Sequence, residues 1–273
     1  MSVSLIVPNC NNARFLPRCL ASALGQSLPF EEIIVVDDAS DDDSVDVVRA
    51  ISSKARAVRL VERKQRGGVA SARDTGIQAA RGTHLTTIDA DDFFWSAKKN
   101  EQEWNVITSY RGKRFVAAFS DVRRVNEDGG DLGRLAATRK VREGDVFWWL
   151  MFLRGFIPRD FTFSREAYCH AGGYDKSLRI YEDWDFKLRL SRICDFYYTG
   201  HCGVAYRANP IGLSNAPFIE HWKAMVHVAW KNTSVVNQPR LCVVRAIAIS
   251  HILWFHRGRL KHHARQLLRR TVS

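Results

Sequence analysis

Four short runs of apolar, largely β-branched residues recur in the N-terminal third of the chain. Each ends in a polar tip and is followed by a stretch of different periodicity. Ser4–Val7 ends at Pro8 and the asparagines 9, 11 and 12; Ile33–Val36 ends at Asp37-Asp38; Val58–Val61 is the third run; Leu85–Ile88 leads directly into Asp89-Ala90-Asp91-Asp92. Between them Leu16, Leu20, Ala23 and Leu24 recur at helical spacing, with Asn11 or Asn12 as the expected N-cap. Ser40 and Asp41 to Asp43 open a second helix containing Val45, Val47 and Val48, and Gly67-Gly68 open a third over about 69–81, with Gly82 expected at its C′ position. Strands alternating with helices in this way predict an α/β fold, a Rossmann-like, mostly parallel sheet wound by right-handed crossovers. Ligands of open sheets of this kind sit beyond the carboxyl ends of the strands, so all four polar tips are expected at one edge.

The second half is less regular. Phe115–Phe119 and Phe161–Phe163 read as strands, Glu127–Gly130 as a hairpin turn, Val146–Leu153 as an apolar helix, and Phe196–Tyr206 as a late strand region. A short helix after Phe163 ends at Gly172-Gly173, and Glu182–Leu190 reads as a helix whose first turn is acidic, which suits the helix dipole. From about 218 onward the pattern is helical.

Charge divides the chain unevenly. The formal net charge is +12, yet the last 53 residues hold ten Lys or Arg and no acid follows Glu220, so residues 1–220 keep only +2. Such asymmetry points to an anionic partner for a helical, basic C-terminal region. There Leu241–Phe255 carries only Arg245 and precedes the basic stretch Arg257–Arg270. It is too short to span a bilayer and reads either as a helix packed on the body or as an interfacial anchor on anionic lipid. Nucleic acid is excluded as partner, because no zinc-finger, RNP or helix-turn-helix pattern accompanies the arginines. The six cysteines form no close C-x-x-C pair, which signals neither zinc nor redox chemistry. With no secretory leader pattern and no membrane-spanning run, the expectation is a cytoplasmic protein, peripheral on the inner face of the membrane if the tail meets lipid.

A D-x-D pair at a strand tip suits a hard divalent cation, which takes oxygen ligands and leaves positions for a substrate diphosphate. Alone it is a weak signal, since acidic strand ends are commonly just solvated.

Five segments in order sharpen it. Ser4-Leu-Ile-Val-Pro8-Asn-Cys-Asn11, Val36-Asp-Asp38-Ala-Ser40, Gly67-Gly-Val-Ala-Ser-Ala-Arg73-Asp-Thr-Gly76, Ile88-Asp-Ala-Asp-Asp92 and Glu182-Asp183-Trp-Asp resemble the successive motifs of the inverting GT-A glycosyltransferases of family 2, over residues 4 to about 207. The resemblance implies a GT-A catalytic domain over 1–210, with a nucleotide-binding half 1–92 and an acceptor half 93–210, followed by the basic helical region 211–273. It implies a transferase of the hexosyltransferase type in surface glycan or glycolipid assembly, with Mn2+ or Mg2+ as cofactor. The donor would be a nucleotide-diphosphate sugar, UDP-sugar favoured because Asp38 is kept, and the acceptor a glycan or lipid-linked hydroxyl. Pro8, Cys10 and Asn11 would line base and ribose, with Ala90 beside them. Asp38 would accept a uracil-like N–H, and Arg73 would order the nucleotide pocket or meet the diphosphate. Asp89 would bind ribose or the metal's water shell, and Asp91 the metal. Asp183 would be the general base, with Glu182 and Trp184 on the acceptor side. Each has a structural rival: Asp38 as a cap for the helix near 42, Arg73 in a pair with Asp74, Asp183 as a dipole partner, Trp184 as a core residue. Cys10 and Asp74 depart from the family's aromatic and asparagine. A nucleotidyltransferase and a catalytically silent nucleotide-binding scaffold are the alternative readings. The first lacks a glycine-rich loop with a basic residue after the opening strand, and intact Asp91 and Asp183 argue against the second.

Overall fold

The computed structural model describes residues 2–134, 141–153, 155–208 and 216–234. Its elements run β1 (Val3–Asn9), α1 (Leu16–Leu24), β2 (Glu32–Asp37), α2 (Ser44–Ser52), β3 (Val58–Glu62), α3 (Gly68–Ala79), β4 (His84–Thr87), β5 (Phe93–Phe94), α4 (Lys99–Ser109), β6 (Phe115–Val125), β7 (Asp131–Arg134), α5 (Phe147–Met151), β8 (Thr162–Ser164), α6 (Arg165–His170), α7 (Glu182–Ser191), β9 (Cys194–Arg207) and α8 (Phe218–Ser234). The apolar segment 241–255 and the basic stretch after it lie outside the described residues.

Both faces of the first strands are apolar, and successive side chains point to opposite sides. Leu5, Val7, Ile33 and Val35 pack on one side with Leu16 and Leu20 of α1 and Val48 of α2. Ile6, Ile34 and Val36 pack on the other with Ala70, Ala72 and Ile77 of α3. Gly76 lets α3 come close: a Cβ there would lie 2.5 Å from Ile6 Cγ2 and 2.9 Å from Val36 Cγ2. The strand order is β3-β2-β1-β4-β8-β6-β9-β5, with β7 pairing to β6. β1 is parallel to β2 and to β4, and β2 to β3. The chain thus steps outward from β1 to β3 and then returns to the other side of β1. The reversal opens a crevice beyond the carboxyl ends of β1 and β4, where ligands of wound sheets bind. Beyond β4 the sheet is mixed: β8 is antiparallel to β4 and β6, β6 is parallel to β9, and β5 is antiparallel to β9.

Several boundaries differ from the sequence expectation. Pro8 does not end β1, which runs through Asn9 with Pro8 opposite Val36. Neither Asn11 nor Asn12 caps α1 by its side chain: the cap residue is Phe15, and Asn12 gives its carbonyl to Leu16 N. Gly82 is not the C′ residue of α3, which ends with Ala80 as its cap. Gly82 instead donates its N–H to Ser4 Oγ at 2.9 Å, and a Cβ there would lie 2.6 Å from that oxygen. Two elements were not anticipated, β5 and α4. The buried face of α4 is polar: Lys99 and Glu103 are fully buried and paired at 2.9 Å, and Lys99 Nζ also donates to Thr86 Oγ1 and the Asp160 carbonyl. A helix that buries Lys, Asn100 and Glu shows no apolar stripe to read.

The division expected at 211 does not mark an independent unit for α8. Met225, Val228 and Ala229 belong to the same core as Ile6, Phe161 and Phe186. Among the described residues no helix is long and apolar enough to cross a membrane.

Candidate active site

At the β1–β4 crevice a cavity of about 710 Å³ is lined by Pro8, Cys10, Asn11, Asp38, Asp89, Ala90 and Asp91, together with Arg14, Arg66 and Arg179. The tips of β1 and β2 are tied to each other. Asn9 Nδ2 donates to Asp37 Oδ1 at 2.8 Å, and Asn11, in the left-handed region at φ 57°, donates its backbone N–H to Ser40 Oγ at 3.0 Å. Ser40 Oγ in turn donates to Asp37 Oδ1 at 2.6 Å. Burial pushes the Cys10 thiol up, which favours its protonated form.

Asp38 is buried at the cavity wall. It does not cap the helix near 42. Its carboxylate accepts from the N–H groups of Gly67 at 3.0 Å and Gly68 at 2.7 Å, at the start of α3, and pairs with Arg63. The Gly67 N–H also lies 3.1 Å from the second oxygen, so each carboxylate oxygen receives two contacts, and a base N–H would have to take the place of one arm of that bifurcated bond. Gly68, at φ +81°, has open space where a side chain would stand.

At the tip of β4, carboxylate oxygens of Asp89, Asp91 and Asp92 lie within 4.8 Å of one another. Two guanidinium groups hold the flanking members. Arg73 Nη2 donates to Asp89 Oδ1 at 2.7 Å, and Arg159 Nε lies 2.9 Å from Asp89 Oδ2 while Nη2 reaches Asp92. Burial works against ionisation of Asp89, but Arg159 and Arg73 hold its carboxyl below the ordinary value. Burial dominates at Asp92 and pushes it well above, despite Arg159. Asp92 also accepts the N–H of Arg207 at 2.7 Å, which fastens the end of β9 to the cluster. The donor set fits a divalent cation of the Mg2+ or Mn2+ kind, hard oxygens from a short run on one loop. Both oxygens of Asp89 face arginines, and Asp91 is half-buried on the cavity wall.

Arg73 makes no pair with Asp74, which instead binds Tyr168 Oη at 2.6 Å and Lys176 at 2.5 Å. Its side chain is 1% exposed and spans from Asp89 to Glu182 Oε1, 2.7 Å from each. That bridge joins α3, the β4 tip and the first residue of α7. Glu182 is therefore a buried partner of Arg73 and not an acceptor-side surface. Trp184 is likewise corrected: it is buried in the core and donates Nε1–H to the Leu150 carbonyl at 3.1 Å. Asp183 lies beside this bridge. Its Oδ2 accepts from Lys187 Nζ at 2.8 Å, and Lys187 also donates to the Ile157 carbonyl. Burial opposes its ionisation, yet Lys187 first, then Arg73 and Arg159, bring the carboxyl pKa down to about 2. Asp183 also raises Asp89 electrostatically, so the two carboxylates share one field.

Arg159 and Lys187 were not anticipated. Arg159 precedes β8 in Pro158-Arg159-Asp160 with no periodicity around it. It sits 4.3 Å above the Tyr206 ring and reaches the acidic cluster only because β8 pairs beside β4.

The wound half-sheet, the switch-point crevice and the acidic strand tip make up a GT-A-type fold. Residues 4–99 match the family model for glycosyl transferase family 2. The chain is 29% identical over 225 residues to the glycosyltransferase EpsJ of Bacillus subtilis, covering 79% of this chain and 64% of EpsJ. It is 28% identical over 223 residues to the succinoglycan biosynthesis protein ExoU of Rhizobium meliloti, covering 74% of this chain and 61% of ExoU. The chain thus spans less than two thirds of these relatives' lengths. The structure of S. aureus TarS 1–349 with UDP-GlcNAc superimposes with a TM-score of 0.73 at 15% identity, over 94% of this chain and 72% of that one. Over residues 4–99 the chain is thus similar to glycosyl transferase family 2, and its fold is that of the GT-A structures.

Proposed function

We propose that the chain is a metal-dependent inverting glycosyltransferase that moves a sugar from a UDP-sugar to an acceptor hydroxyl in surface-glycan assembly. The observation that carries this reading is the Glu182–Arg73–Asp89 bridge. It locks the acidic start of α7 to the β4 tip, so that a second-half carboxylate stands beside the donor crevice. TarS in complex with UDP-GlcNAc supports the UDP-sugar, and ExoU, named for succinoglycan biosynthesis, supports the glycan.

In this reading Pro8, Cys10 and Asn11 line the base and ribose, Asp38 takes the base N–H, and Arg73 with Asp89 fixes the floor of the pocket. Asp91 would hold the Mn2+ or Mg2+, which when bound neutralises charge on the leaving diphosphate. Asp183 accepts the proton of the attacking acceptor hydroxyl at its carboxylate. With its carboxyl brought down to about 2, it is ionised at neutral pH but is a weak base. The proton therefore moves late, once C–O bond formation has made the hydroxyl acidic. A single displacement inverts the anomeric carbon, through an oxocarbenium-like transition state of the kind met in glycoside hydrolysis.

The test is UDP release from a panel of UDP-sugars with Mn2+, with and without candidate acceptors. Asp183→Asn should abolish transfer and keep UDP binding, whereas Asp91→Ala should weaken metal-dependent UDP binding itself. UDP binding unaffected by either Mn2+ or Asp91→Ala would overturn the metal role. The basic C-terminal region is proposed to meet anionic lipid at the inner membrane face. Co-sedimentation with acidic liposomes should be lost when residues 257–273 are removed.

A further inference from the structure

Residues 175–185 deliver to the site what the irregular half contributes. Arg179 lines the cavity, Glu182 holds Arg73, and Asp183 shares the field of Asp89. The segment has little regular structure of its own before α7. Tyr181, at the N-cap of α7, is held at φ 63°, in a left-handed conformation unfavourable for an aromatic residue. Something must hold it there, and α8 grips it at successive points. Lys231 Nζ donates to Asp175 Oδ2 at 2.5 Å, at the start of the segment, and to Asp185 Oδ2 at 3.1 Å, at its end. Asn232 Nδ2 donates to Asp185 Oδ1 at 2.9 Å, and its carbonyl accepts from Arg192. Near the other end of α8, His221 Nδ1 is 3.1 Å from the Tyr181 hydroxyl, and Glu220 lies 3.9 Å from Arg179. Partial burial of Asp175 opposes ionisation, but Lys231 and Ser177 hold its carboxyl well below the ordinary range. The Lys231 contact is thus charge-assisted.

We infer that α8 is a positioning element for the transfer reaction, and that Lys231, by pinning Asp175 and Asp185 together, sets the placement of Asp183 and Arg179 against the bound donor. Lys231 touches neither the cavity nor the acidic cluster, so it acts through the segment it holds. The inference rests on the transferase reading above. It adds that an element far along the chain from every motif contributes to turnover, because α8 ties the two ends of the base-bearing segment together from outside, beside the segment's own Ser177–Asp175 and Leu178–Asp175 hydrogen bonds.

The experiment compares the full chain with Lys231→Gln and Lys231→Arg. Amide hydrogen exchange over residues 176–184 should rise in Lys231→Gln and return toward the parent in Lys231→Arg. The kcat for UDP release should fall about tenfold in Lys231→Gln, with the donor KM within about twofold, since the β1–β4 half of the pocket is untouched. Asn232→Ala, which removes the neutral contact to Asp185, should show the same split. A purely structural role would lower the thermal midpoint and leave kcat per folded molecule unchanged. That result, or unchanged exchange over 176–184 in both variants, overturns the inference while the transferase reading stands. No UDP release by the parent protein with any nucleotide sugar overturns the transferase reading, and with it the inference.

Discussion

Asp183 is pulled in two directions. A base gains from a higher proton affinity, whereas the cations around this carboxylate depress it. Lys187 is the strongest of them, and the lysine is itself buried and held by the Ile157 carbonyl. The shift from 3.8 to about 2 has a thermodynamic signature. A folded value below the unfolded one means that the contribution is complete above an unfolded pKa of about 3.9 and vanishes as pH falls through about 2. It amounts to about 2 kcal/mol. Asp183→Asn is expected to be less stable than the parent by that order at pH 7, with the gap closing between about pH 4 and pH 2. Urea titrations across that range check it; a gap that stays constant would assign the loss to packing instead. Arg73 makes the complementary case. Its fully buried guanidinium neutralises Glu182 and Asp89, so Arg73→Met leaves two carboxylates facing each other without their shared partner. The expected cost is about 3–5 kcal/mol, read as a fall in denaturation midpoint, together with weakened UDP binding. The places of Asp38, Asp89 and Asp91 on the cavity wall were legible because strand-tip acids announce themselves by position. The arginines that pair with Asp38 and Asp89, Arg63 and Arg159, were not, since a lone arginine in an irregular stretch carries no periodic signal.

Among the elements, α3 is the hinge of the design. Its N-terminal glycine amides are taken by Asp38, its middle presses on β1 and β2, and Arg73 extends from it to the tip of β4 and the start of α7. Gly76→Ala would place a methyl group 2.5 Å from Ile6 Cγ2, against β1 and β2, whose residues are all buried. We expect a loss of about 1–3 kcal/mol from overpacking, and a proportionate drop in melting temperature. The elements that periodicity revealed were those with apolar faces: β1 to β4, α1 to α3 and the core side of α7. Of the two it missed, β5 is only the pair Phe93-Phe94, too short to show a period, and α4 buries polar groups. α4 hides Lys99 and Glu103 behind Thr86, Ser120 and Thr162, a network that sets a charged residue where a hydrophobic pattern would need leucine. Trp184 shows the opposite error, an aromatic near the site that the packing of α5 on α7 claims for the core.

For the molecule as a whole, binding of donor to the folded state should raise stability by mass action. UDP with Mn2+ at about 100 times Kd is expected to add about 2.7 kcal/mol, and chelating the metal should cancel most of that gain. A thermal-shift series with UDP, Mn2+ and EDTA reads it directly. If UDP stabilises equally with and without the metal, the acidic cluster has no part in holding the diphosphate.

By itself the sequence determined the wound half-sheet, the edge at which its polar tips gather and the identity of the acids there, because those depend on local periodicity and on where each strand must stop. Only the tertiary structure decided which groups meet. Glu182 faces Arg73 across 109 residues of chain, Lys231 faces Asp185 across 46, and residues 175–181, which lead into the Glu182 motif, belong to no pattern. Such encounters follow from strand order and helix packing, which a linear pattern constrains but does not state. An ion pair, moreover, is specified by two side chains at once, whereas a hydrophobic face can be read from one element alone.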